Sequence, residues 1–103
     1  MADGVLPHLL FFTSLRSGPG RRMESLLAQL GRRERDRLRI SRVDAEASPK
    51  LSACLGITEV PTLVLLVDQR PVDRIDGRAS APEIDRLLAE HLGRRNPEPS
   101  LAA

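Results

Sequence analysis

The sequence has 103 residues, 41% of them hydrophobic, with 16 Lys and Arg against 14 Asp and Glu for a formal net charge of +2. That length suits one small domain with a single core, and the near balance of charge argues against a surface built for a polyanion. A single cysteine, Cys54, excludes an intrachain disulfide and an all-cysteine metal site.

His8 to Ser14 (HLLFFTS) is a short apolar run bounded by Pro7 and a polar loop, which predicts a buried strand. Pro19 to Gly31 follows with Met23, Leu26, Leu27 and Leu30 on one helical face. Pro19 suits a first turn and Gly31 a C-terminal cap. Leu38 to Val43 alternates weakly and predicts an imperfect strand. Ser48, Pro49 and Gly56 mark the cap, first turn and stop of a short helix. Within it Cys54 lies beside Leu51 and Leu55 at helical spacing, which predicts a small core residue. Val60 to Val67 is continuous and rich in β-formers, as for a central strand buried on both faces. Pro71 opens a weaker strand and favours an edge. Ser80 and Glu83 have capping-box spacing, Pro82 suits the first turn, and Ile84, Leu87, Leu88 and Leu92 form a stripe that Gly93 ends. The order is β-α-β-α-β-β-α. It predicts an α/β domain over residues 5–93, a mixed sheet with helices on both faces, and a flexible tail over 94–103.

Residues 31–42 (GRRERDRLRISR) are the one dense basic stretch. Glu34 and Asp36 interrupt it and no aromatic is interleaved for base stacking, so it reads as a solvated helix end and nucleic-acid binding is not expected. His8 and His91 lie far apart without ligand spacing, so no metal is expected. No basic leader precedes an apolar core at the start, and no run approaches ~20 apolar residues. Neither membrane insertion nor secretion is expected, which leaves the cytoplasm.

The Ser-Gly-Pro-Gly stretch at 17–20, opening a helix, together with Gly56-Ile57-Thr58-Glu59-Val60-Pro61-Thr62 and the later Ile75-Asp76-Gly77-Arg78-Ala79-Ser80 turn, resembles the thioredoxin family. The likeness runs from about Leu9 to Leu92. It implies a thioredoxin-like fold, a cis peptide bond between Val60 and Pro61, and a groove where an extended peptide pairs with the backbone there. Arg16, Ser17, Pro19, Val60, Pro61 and Thr62 would line that groove.

The family motif Trp-Cys-Gly-Pro-Cys corresponds here to Arg16, Ser17, Gly18, Pro19 and Gly20. Dithiol exchange needs a thiolate with its pKa lowered at a helix start and a second thiol to resolve the mixed disulfide. Both sulfurs are absent, and a serine hydroxyl stays un-ionised at neutral pH. The buried carboxylate that such proteins carry in the first strand is also absent, since Phe11 takes its place. Catalytic residues, cofactor and dithiol reductase activity are therefore not expected. Ser17 reads as a helix cap, or, with Arg16, Arg21 and Arg22, as part of a small anion site. The expected function is a redox-inactive module that binds a protein or extended peptide, acidic in character. The alternative is a residual oxidoreductase or redox-homeostasis protein acting through Cys54, the one candidate reactive thiol, or through a partner.

Overall fold

The computed structural model describes residues 6–14 and 18–93, and at 19 and 20 the backbone alone. The elements are β1 (His8–Thr13), α1 (Gly18–Arg33), β2 (Arg39–Asp44), α2 (Pro49–Cys54), β3 (Thr62–Val67), β4 (Arg70–Asp76) and α3 (Ala81–Leu92). The strands form one sheet in the order β2-β1-β3-β4. β1 is parallel to β2 and antiparallel to β3, and β4 is antiparallel to β3. The sheet is mixed, β3 is central and the Pro71 strand lies at an edge, as its missing N–H requires.

Period-2 alternation divides the sheet into two unequal layers. Leu9, Phe11, Leu63 and Leu65 point to one side, where Met23, Leu27 and Leu30 of α1 meet Ile84, Leu87 and Leu88 of α3. Leu10, Phe12 and Val64 point to the other, against Val43, Ala45, Leu55, Ile57, Val60 and Leu66. Among the described residues only α2 stands on that second side. It has six residues, none of them buried, and touches the sheet through Leu55 just past its end.

Three readings from sequence need correction. Gly31 does not end α1, which runs on to Arg33; a Cβ at Gly31 would lie 3.7 Å from Ile40 Cδ1, so the glycine sits where the helix passes close to β2. Glu34 is not solvated but 1% exposed, gripped by the Arg33 and Arg37 guanidiniums. Cys54 is exposed, and its neighbour Leu51 is 40% exposed. A helix of one and a half turns bears on the sheet at its end only, so its apolar stripe never becomes core. At the other helix ends local chemistry decides. Ser80 Oγ accepts from Glu83 N–H while Glu83 accepts from Ser80 N–H at 2.8 Å, closing the capping box. Ser48 stands before α2 but makes no side-chain cap bond.

Candidate functional site

The chain enters β3 through Val60 and Pro61, whose peptide bond is cis. Two hydrogen bonds fix this corner. Thr62, fully buried at the first position of β3, donates its hydroxyl proton to the Glu59 carbonyl at 2.8 Å. Gly77 N–H donates to the Pro61 carbonyl at 2.8 Å, tying the end of β4 to the proline. Val60, by contrast, makes no backbone hydrogen bond among the described residues. Its amide and carbonyl are the groups that an extended segment could pair with.

Gly77 has φ +83, and a Cβ there would lie 3.7 Å from a Glu59 carboxylate oxygen. Glu59 and Arg78 are both exposed, so the rim around Pro61 carries both signs of charge. Glu59, Gly77 and Arg78 are not among the groove residues that the sequence implies. The signal available was the position of Gly77 at the end of a strand that pairs with Thr62.

α1 starts at Gly18, with Pro19 and Gly20 in its first turn. Arg21 and Arg22 are exposed just behind it, and that turn holds no acidic residue. Arg16 and Ser17, expected to flank the helix start, lie outside the described residues, as does the tail over 94–103. Phe11, at the strand position where the resemblance implies a carboxylate, is 2% exposed and packed in the larger core. Cys54 is carried by α2 on the opposite side of the sheet from α1. The structure thus brings Val60, Pro61 and Thr62 together with Gly77, and leaves the single thiol on another element.

One group of metal-ligand types does gather elsewhere. Asp73, Glu90 and His91 bring one ligand atom each to within 4.8 Å of one another. His91 Nε2 lies 2.9 Å from Asp73 Oδ2, and this hydrogen bond, with the Arg74 N–H, holds the Asp73 carboxyl below its ordinary pKa. The contact joins β4 to α3 as a surface hydrogen bond. Among the described residues no helix is long and apolar enough to cross a membrane.

A mixed sheet in this order, entered through Val60-Pro61 and backed by α1 and α3, defines a thioredoxin-like domain. The thioredoxin family model matches residues 3–90, and the chain belongs to the thioredoxin family. It is similar to a thioredoxin of Alicyclobacillus acidocaldarius, 27% identical over 90 residues covering 87% of this chain and 86% of that one. A thioredoxin-like protein of Synechocystis sp. is 29% identical over 88 residues, 85% of this chain and 84% of its own. Among solved structures, the germline-specific thioredoxin Deadhead of Drosophila melanogaster superposes with a TM-score of 0.78 at 22% identity, over 84% of this chain and 81% of its own. That last likeness concerns the fold.

Proposed function

We propose that this protein is a thioredoxin-family domain without redox chemistry, a module that holds an extended segment of a partner against Val60 and Pro61. The observation that carries the reading is the identity of residues 17 and 20. Serine and glycine stand where exchange needs a nucleophilic and a resolving thiol, and the chain's one sulfur nucleophile lies on α2 instead. What supports binding is the Val60 backbone, which has no hydrogen bond among the described residues and lies beside an anchored proline, with Arg21 and Arg22 exposed to favour acidic side chains of the partner. Thr62 and Gly77 position this corner; neither takes part in bond making.

The experiment is a disulfide-reduction assay on a protein substrate with dithiothreitol as reductant. The wild-type chain is expected to give the reductant-only rate. Ser17→Cys combined with Gly20→Cys is expected to give measurable exchange above it, since the helix start is retained. Turnover by the wild-type chain overturns the reading. A second reading, a thiol acting singly through Cys54, is favoured by that residue's exposure. It predicts that glutathione disulfide converts Cys54 to a mixed disulfide with release of one glutathione thiol, that Cys54→Ser abolishes this, and that no catalytic turnover follows, because a resolving thiol is lacking.

A further inference from the structure

The two edges of the sheet are built differently. β4 is blunted: Pro71 withholds an N–H, and the ladder to β3 slips between Leu65 and Leu66. β2 has neither device. It runs six residues in unbroken parallel register with β1, from His8 beside Arg39 to Thr13 beside Asp44. Its outward groups follow from alternation. Arg39 N–H donates inward to the Pro7 carbonyl at 2.9 Å and Ala45 N–H to the Thr13 carbonyl at 3.0 Å. The backbone N–H and C=O groups of Ile40 and Arg42 therefore face away from the sheet, whereas the carbonyl of Asp44 already accepts from Ala47 N–H at 3.1 Å. No strand among the described residues pairs with that side.

The side chains along this edge set its chemistry. Ile40 and Arg42 stand on the α1 side; Arg39, Ser41 and Val43 stand on the other. Arg39 and Arg42 are exposed, one on each side, and Arg42 reaches Glu24 of α1 at 3.3 Å with half its surface still open. Ile40 and Val43 are half-buried, with apolar surface left at the rim.

We propose that the free edge of β2 is a second binding surface, separate from Val60 and Pro61, which takes an extended acidic segment of a partner protein as an added antiparallel strand. The main chain supplies affinity through Ile40 and Arg42, and side chains supply choice. An acidic residue opposite Arg39 and another opposite Arg42, with apolar residues opposite Ile40 and Val43, satisfy both sides of the strand at once. A second copy of this chain fits poorly, because the antiparallel self-pairing that engages Ile40, Arg42 and Asp44 of both copies sets Arg42 directly opposite Arg42. Antiparallel addition is the more stable choice per residue.

The test is amide NMR and hydrogen exchange on the full chain with an acetylated, amidated hexapeptide, Thr-Val-Glu-Thr-Val-Glu. Exchange at Ile40 and Arg42 is expected to slow about tenfold at roughly 90% occupancy, while the inward amides of Ser41 and Val43 stay as they were. Thr-Val-Lys-Thr-Val-Lys should not bind. Arg42→Pro, which removes an outward donor and leaves the β1 ladder intact, should abolish the effect. Should that variant fail to fold, Arg42→Glu should weaken the Glu peptide and admit the Lys peptide. Unchanged exchange at Ile40 and Arg42, or equal binding of both peptides, overturns the proposal. So does protection of these amides in the free protein with a dimeric mass, which would name a second copy as occupant. Shifts confined to Val60 and its neighbours also overturn it, while supporting the groove reading.

Discussion

His8 begins β1 with its ring turned to the less covered side of the sheet, where Nε2 lies 2.6 Å from Ser41 Oγ. Burial first, and then the Arg39 guanidinium beside it, lower its pKa below the ordinary 6.5. The folded protein therefore prefers His8 neutral, while the unfolded chain takes up a proton near 6.5. Between those two values the unfolded state binds more protons, so stability rises with pH there. The contribution is fully present above 6.5 and is lost as pH falls through the lowered folded value. Urea unfolding at pH 7.5 and 5.5 should show a smaller loss on acidification for His8→Gln than for the wild type, since glutamine can keep a bond to Ser41 without titrating. Equal losses would mean that His8 titrates alike in both states. At the same scale, Cys54 was misread from sequence because spacing along a helix names its stripe but not its depth. The stripe of Leu51, Cys54 and Leu55 is real. What it lacks is a helix long enough to lie along the sheet.

Helices show where local chemistry suffices and where it does not. The α3 signals lie within the element itself: a cap at Ser80, Pro82 in the first turn, a stripe through Leu92 and a stop at Gly93. All are read correctly from the sequence because no distant residue is needed to make them true. The end of α1 is different. Arg33 and Arg37 both donate to Glu34, Arg33 reaches Asp85 at 2.8 Å, and Arg37 donates to the Leu92 and Gly93 carbonyls. A stretch that reads as a solvated basic run is thus a clamp between the ends of two helices, and its partners lie more than fifty positions away. Removing the carboxylate should leave Arg37 next to the core with carbonyl partners only. Glu34→Ala is expected to cost about 2 kcal/mol, in the range for losing hydrogen bonds to charged partners that stay partly solvated, and denaturant midpoints measure it. A loss below about 0.5 kcal/mol, typical of exposed pairs, would show that the clamp is solvated in solution. The site divides in the same way. Val60, Pro61 and Thr62 were legible because a contiguous motif carries them. Gly77 and Arg78 reach the same corner only through the β3–β4 pairing.

At the scale of the whole molecule, the sheet is covered unevenly. α1 and α3 close one side around a large aliphatic core, whereas the other has, among the described residues, a cluster of three buried apolar residues and a helix that contributes none. Adjacent leucines in β3 sample the two sides. Leu65 is completely buried under the helices, and Leu66, pointing the other way, is half-buried with Leu10 and Val64 as its company. Both are central-strand residues of one type, so backbone propensity and ladder bonds cancel in the comparison. What remains is the difference in burial and in the cavity left behind. Leu65→Ala should cost about 3 kcal/mol, a large share of the roughly 5–15 kcal/mol of a domain this size. Leu66→Ala should cost about 1 kcal/mol, because part of its surface already meets water and a smaller cavity forms. Urea titrations of the two variants measure the ratio directly. Equal costs would mean that the second side is closed in solution, either by another chain or by a rearranged α2. In that event the mass of the particle in the same buffer decides which, since only an added chain raises it.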